Sequence, residues 1–167
     1  MAINNLIDAE TVGRFSVKWK KHKKKINLNF VTLTFPASQE HTDLEAKKML
    51  NYYITELKNS IGNFMYVWKA EKQKNGNIHF HMLINKYISY LHIRKIWNAI
   101  LNRYGYIEKY REKLSRMTEG EYIEYRKKNA NIKHTQKHIE NYKKAYREGK
   151  KTGWTNPNTT DVHTLRG

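Results

Sequence analysis

Residues 78–85, IHFHMLIN, leave the chain little freedom. On a strand, successive side chains point to opposite faces, so Ile78, Phe80 and Met82 fall on one side and His79 and His81 on the other. One face is apolar and must be covered, while the other presents two imidazoles. A segment patterned in this way requires a sheet, a core beneath it and a partner strand.

The partner is predicted over residues 63–71, NFMYVWKAE, and the intervening Lys74, Asn75 and Gly76 mark a tight hairpin. Loop length decides the chemistry of the second face. A three-residue loop, a type I turn closed by Gly76 in the left-handed conformation, sets Glu71 opposite His79 and on the histidines' side. A two-residue turn of Asn75 and Gly76 sends Glu71 to the other face. On sequence alone both registers stand. In the first, two imidazoles and a carboxylate make a donor set suited to a divalent cation with open positions. Mixed nitrogen and oxygen ligation favours manganese or magnesium, with zinc as the alternative. By itself, a His-x-His pair is more often a surface or core-edge feature than a ligand set.

The rest of the chain supplies the layers. Residues 26–36, INLNFVTLTFP, are rich in β-branched and aromatic side chains and read as a central strand stopped at Pro36, with Thr32 and Thr34 on one face. Thr42 and Glu45 form a capping box ahead of a helix over residues 43–58, in which Leu50, Tyr53, Ile54 and Leu57 recur at helical spacing. Ser89 is placed as the N-cap of a helix to Tyr104, with Ile93, Ile96, Trp97, Ile100 and Tyr104 on its apolar face and Gly105 as its stop. Residues 105–110 carry no clear signal. Thr118 and Glu121 repeat the capping box, and a long basic helical region is predicted from there to about Lys150, packed through Tyr122, Tyr125, Ile132, Ile139, Tyr142 and Tyr146. A last strand begins at Asp161. The expected fold class is α+β, a central antiparallel β-sheet with flanking helices, plus the long basic helical region near the C-terminus. With 39% hydrophobic residues in a chain of 167, one globular unit with a real core is expected.

The chain contains no cysteine, which removes disulfides, zinc-thiolate fingers and cysteine nucleophiles together. No apolar run approaches the ~20 residues of a spanning helix, and the opening MAINNLIDAE lacks the order of a signal peptide, so a cytoplasmic protein without a membrane partner is expected. Lys and Arg number 32 against 15 Asp and Glu, a net charge of +17. So large an excess points to a polyanion. Nucleic acid fits better than an anionic membrane, which needs an anchor or a strongly apolar helix face beside the charge. The run KWKKHKKK, with Lys18, Trp19, Lys20, Lys21, Lys23, Lys24 and Lys25, combines ammonium groups for phosphates with an indole for stacking. His134 and His138, one turn apart, and His163 are further imidazoles of the kind that are more often structural.

Several separated motifs together resemble the HUH endonucleases, the rolling-circle replication initiators (Rep proteins) of single-stranded DNA phages and related plasmids. His79-Phe80-His81 is similar to the motif that names the family, and FVTLTFP, residues 30–36, to its first-strand motif. Glu71 stands where related initiators carry a third, acidic metal ligand, and NPNTTDVHTL, residues 156–165, resembles a late segment of the phage initiators. The resemblance implies an HUH/RRM-like sheet and a metal held by Glu71, His79 and His81. It implies single-stranded DNA or an origin hairpin as substrate, no nucleotide cofactor, host replication proteins as further partners, and the cytoplasm of a bacterial host. The implied activity is metal-dependent nicking and rejoining of origin DNA through a 5′-phosphotyrosine intermediate. The alternative is a non-catalytic nucleic-acid-binding domain on the same fold.

The tyrosine is harder to place. In the phage-type proteins its helix follows the segment that NPNTTDVHTL resembles, and this sequence ends at Gly167. Tyr142 and Tyr146, one turn apart among lysines, are the candidates within the chain, yet with Ile132 and Ile139 they fall at the spacing of a packing seam. The expectation is one HUH-type nuclease domain over residues 1–167 that stops before the catalytic-tyrosine helix, the tyrosine itself lying beyond Gly167.

Overall fold

The computed structural model describes residues 27–73, 75–130 and 132–166. Within them the order is β1 (Asn27–Leu33), α1 (Asp43–Ile61), β2 (Tyr66–Lys72), β3 (Ile78–Ile84), α2 (Tyr90–Arg103), α3 (Tyr106–Ser115), α4 (Glu119–Asn129), α5 (Gln136–Thr152) and β4 (Thr160–Arg166). The strands form one antiparallel sheet in the order β2-β3-β1-β4. The α+β class is the one that the sequence predicts.

Alternation separates the two faces of this sheet. Val31 and Leu33 of β1 and Ile78, Phe80, Met82 and Ile84 of β3 are buried beneath α1, through Ala46, Met49, Leu50, Tyr53, Ile54 and Leu57, and α2, through Ile93, Trp97, Ile100 and Leu101. Trp97 lies at the centre. Its ring meets Phe35, Tyr53 and Phe80 edge-on, and its Nε1 donates to the Thr34 carbonyl at 2.9 Å, so the indole is buried with its N–H satisfied. Each large apolar side chain placed here contributes about 1.5–3 kcal/mol. The Tyr53 hydroxyl has no partner in this layer, and burial pushes its pKa well above the ordinary tyrosine value.

Both expected capping boxes form. Thr42 Oγ1 accepts the Glu45 N–H at 3.3 Å while the Glu45 carboxylate accepts the Thr42 N–H at 2.8 Å, and Thr118 with Glu121 repeats this at 3.3 and 2.7 Å. These backbone hydrogen bonds hold both carboxyls below their ordinary pKa. Ser89 caps α2 differently: its hydroxyl makes no capping bond, and its carbonyl accepts the Ile93 N–H at 3.1 Å.

The chain after Gly105 departs from expectation in three ways. Its basic helical region divides into α4 and α5, because the chain turns extended at Ala130 and re-enters helix at Thr135, whose Oγ1 accepts the His138 N–H at 3.4 Å. The His138 ring closes this box on the Thr135 N–H at 3.1 Å. Residues after Gly105 form α3, with Tyr106, Ile107 and Leu114 buried. Ile132 is 52% exposed and stands outside the seam assigned to it. The remaining seam residues gather around a second apolar cluster of Leu114, Tyr122, Tyr142 and Trp154. Gly149 makes room for it, since a Cβ there would lie 2.1 Å from the Trp154 ring. Gly153 ends α5 in the left-handed conformation, and Trp154 follows it at a φ of 58°, an uncommon state for a bulky residue, held by this packing.

Polar bonds fasten β4 to the layer. Asn98 of α2 donates through Nδ2 to Asn156 Oδ1 at 2.7 Å and the Pro157 carbonyl at 3.0 Å, and accepts from Thr159 Oγ1 at 2.5 Å. Arg94 adds a bond to Asn158 Oδ1 at 2.5 Å, and the Thr34 N–H reaches the Thr159 carbonyl at 2.8 Å. Among the described residues, no helix is long and apolar enough to cross a membrane.

Two substitutions test this packing. Asn98→Ala removes three bonds and strands a buried hydroxyl, so denaturant unfolding is expected to show a loss of about 1–3 kcal/mol. Gly149→Ala should also destabilise, although Ala in an open helix gains about 1 kcal/mol over Gly; a variant as stable as the parent would overturn the close approach of Trp154.

Candidate metal centre on the open sheet face

The site begins with the hairpin. The Gln73 N–H donates to the Asn77 carbonyl at 2.8 Å, the Gly76 N–H to the Gln73 carbonyl at 2.9 Å, and Gly76 has a φ of 85°. The loop therefore holds three residues, and Glu71 pairs with His79, as in the first of the two registers. Asn77 anchors this turn. It is buried, its Nδ2 donates to the Ala37 carbonyl at 2.9 Å, and its Oδ1 accepts the Gln39 N–H at 2.8 Å. Gln39 Oε1 in turn accepts the Ile78 N–H at 2.8 Å, which ties the start of β3 to the connection between β1 and α1. In sequence Asn77 looks like any turn residue, so its role had no signal there.

Across the four strands, Lys69, His81, Thr32 and Asp161 stand in register, as do Val67, Leu83, Phe30 and His163. All are half-buried or exposed. His81 is fixed from three sides: its Nδ1 lies 3.1 Å from Thr32 Oγ1, its Nε2 3.4 Å from Glu71 Oε2, and its ring stacks on Phe30 at 5.7 Å and 19°. When Nδ1 carries the proton it donates to Thr32, and the Nε2 lone pair faces the carboxylate. The His79 ring lies 6.1 Å from that of His81 and at 73° to it. Burial, and then the neighbouring His81, hold its pKa below the ordinary 6.5 against the pull of Glu71. His79 is thereby kept in the neutral form that can ligate a metal. Lys69 places its ammonium 3.7 Å from Glu71.

These residues are donors of the kind a divalent cation takes, and two of them are spaced for one. Two donors, each about 2.1 Å from a shared cation, stand roughly 3.0–3.5 Å apart, and Glu71 and His81 already have that separation. Among the described residues no three His, Asp or Glu side chains converge on one point, and His79 stands apart from the pair with its ring steeply inclined to that of His81. A concavity of about 410 Å³ adjoins the pair, walled by Phe30, Val67 and Leu83 with Lys69, Glu71 and His81. On β4, His163 Nε2 lies 2.9 Å from Asp161 Oδ2, a separate pair on the same face.

The other candidates lie elsewhere. All twelve tyrosines fall within the described residues, and none stands on the open face; Tyr66, on β2, faces the core side against Phe64. Tyr142 is buried, its hydroxyl 3.3 Å from His134 Nδ1, and Tyr146 donates to the Met117 carbonyl at 2.8 Å. Both belong to the second cluster. His134 also uses its Nε2, 3.2 Å from the Lys127 carbonyl, and so is not free to pair with His138 on a metal. The basic run Lys18, Trp19, Lys20, Lys21, Lys23, Lys24 and Lys25 lies outside the described residues. Lys69, beside Glu71, had no motif to mark it, and Phe30, though inside the first-strand motif, carried no sign of its stacking on His81.

A family model described as replication-associated protein, of the ORF2 type, matches residues 28–147, from β1 into α5. No curated protein matches the chain. Among solved structures, the crystal structure of the hypothetical protein ORF119 from Sulfolobus islandicus rod-shaped virus 1 aligns over 74% of this chain and 100% of its own, at 18% identity and a TM-score of 0.34, too loose a superposition to carry an argument. With the hairpin, the three strands that carry Glu71, His81 and Thr32 and most of the helical region inside the matched span, the chain belongs to the ORF2-type family of replication-associated proteins.

Proposed function

We propose that the open face is the DNA-processing centre of a replication initiator of the HUH type. It holds single-stranded origin DNA, or the unpaired part of an origin hairpin, and presents one phosphodiester for nicking and rejoining with manganese or magnesium on Glu71, His79 and His81. The observation that carries this is the line from Glu71 through His81 to Thr32, at 3.4 and 3.1 Å. When bound, the cation supplies positive charge against the negative charge that grows on the phosphoryl oxygens.

The chain's own residues do the rest. Thr32 and Phe30 fix the plane of His81, and the three ligands set where the scissile phosphate rests. The concavity beside them takes a base or sugar, which turns the backbone toward His81. Lys69 offers its ammonium to a non-bridging oxygen. A tyrosine oxygen, its proton lost to solvent, then attacks phosphorus; the bond to the 3′ oxygen breaks, that oxygen takes a proton, and the 5′-phosphate stays on the tyrosine. Return attack by the 3′-hydroxyl restores the strand without a nucleotide cofactor. Tyr142 and Tyr146 are held in the second cluster, so the attacking tyrosine is assigned to neither. The absence of a tyrosine from the open face of the strands favours the second reading, a nucleic-acid-binding domain without catalysis.

Binding of single-stranded origin-like DNA with and without manganese separates the two. Manganese is expected to tighten binding, and His79→Ala with His81→Ala to erase that effect; DNA held equally in all four conditions would leave the binding-only reading. Any denaturation-resistant adduct should survive Tyr142→Phe and Tyr146→Phe, and its loss in either would put the nucleophile on α5. Thr32→Val keeps the shape and removes the bond to His81, so manganese affinity by calorimetry is expected to fall about 10–100-fold with unfolding nearly unchanged.

A further inference from the structure

Away from the sheet, a concavity of about 680 Å³ opens at the corner between α4 and α5, lined by Lys127, Lys128, Asn129, Ile132, Lys133 and His134. Part of this basicity has a local cause, since Arg126, Lys127 and Lys128 in the last turn of α4 offset the negative end of its dipole. Lys133 lies beyond the helix and owes nothing to it. The ion pairs also divide these residues. Lys127 is matched by Glu124 at 2.7 Å, Lys143 by Glu140 at 3.0 Å and Arg147 by Glu119 at 3.5 Å. Among the described residues, no carboxylate lies within ion-pair distance of Lys128 or Lys133. Two uncompensated ammonium groups therefore face one concave surface.

The neighbourhood extends the pattern. Lys137, Lys144 and Lys151 are exposed along α5 and recur every seventh residue, about 10 Å apart, with Glu148 interrupting the stripe. Ile132, 52% exposed at the mouth, offers the apolar surface a sugar or base would use. His134 is a wall here, both its nitrogens being engaged with Tyr142 and Lys127. The apolar side chains of α4 turn inward, Tyr122 into the second cluster, so a membrane would find no greasy face beside the lysines.

We propose that this corner is a second nucleic-acid contact, a sequence-independent seat for the sugar–phosphate backbone of the DNA whose single-stranded part lies on the open face. It rests on the reading above that DNA is the partner. Each ammonium seated on a phosphate releases condensed counterions, so the corner contributes affinity that falls with salt and carries no base preference.

The test is fluorescence anisotropy with labelled single-stranded and hairpin DNA, in EDTA, across a salt series. K128E/K133E is expected to bind about tenfold or more weakly than the parent at fixed salt, and its logarithmic salt slope on single strands to fall by about 0.7 for each phosphate left without an ammonium. K128Q/K133Q, the milder change, should lower the slope in the same way and serves if charge reversal unfolds the corner. K47E/K48E, the same charge change on the exposed side of α1, should leave affinity nearly parental. Parental binding by both corner variants overturns the proposal, as does an equal loss in K47E/K48E, which would reduce it to net charge. Capture on phosphatidylserine vesicles that K128E/K133E loses while DNA binding stays parental would assign the corner to a membrane instead. A parent that binds no DNA either in EDTA or in manganese removes the proposed function as well, an outcome distinct from failure of the corner alone.

Discussion

β3 is paired along both edges, to β2 and to β1, and its alternation has nowhere to slip. A shift of one residue would carry His79 and His81 into the core and put Phe80 and Met82, now fully buried, into water. At about 1.5–3 kcal/mol for each large apolar side chain, before any cost of burying imidazoles, that alternative is closed. The burial that seats Phe80 against Trp97 and Trp68 therefore also seats His81 beside Thr32. Glu71 inherits its place from the same pairing, through a turn whose length sets the face on which it emerges.

The width of the open face has a different origin. β4 reaches β1 only after a long helical excursion, and the segment that leads into it is fastened by polar bonds. Neighbours in sequence divide that work: Trp97 enters the core, while Asn98 turns toward Asn156, Pro157 and Thr159. Buried amide and hydroxyl groups left without these partners would each lose a bond to water with nothing in return, so the segment has one favourable seat. From that seat Asp161 is brought opposite Thr32 and His163 opposite Phe30.

What could be read in the sequence was local. The alternation of β3, the Thr42–Glu45 and Thr118–Glu121 boxes and the place of the hairpin turn at Gly76 involve residues within a few positions of one another, and all were legible, whereas the length of that turn was left between two and three residues. The break between α4 and α5 was not, because neither Pro nor Gly marks it and its cap uses the His138 imidazole where a Glu or Gln is the familiar partner. Asn77 meets Ala37, and Asn98 meets Thr159, across 40 and 61 residues; bonds of that span leave no periodic trace. At the site, pattern could place His79 and His81 on one face, with Glu71 joining them in one of two registers. It could not give the direction of the His79 ring, the ammonium of Lys69 beside Glu71 or the stacking of Phe30, which depend on rotamers and cross-strand neighbours. The packing of Tyr142 and Tyr146 was half legible: their spacing indicated a seam, but Ile132 left it because the chain had already turned.

Electrostatics then separates two tasks within one chain. Among the described side chains of the open face, the carboxylates of Glu71 and Asp161 outnumber the single ammonium of Lys69, and burial keeps His79 from adding its charge at neutral pH. Such a face repels a phosphate unless a cation first changes its sign. The positive excess of the chain, +17 in all, is carried mostly by residues outside the strands, on the helices and in the sequence before β1. Charge of that kind attracts a polyanion over roughly a Debye length, about 8–10 Å at physiological salt, but cannot by itself select one position along it. Selection needs side chains held in fixed places, and His79 and His81 are so held because the opposite face of β3 is buried.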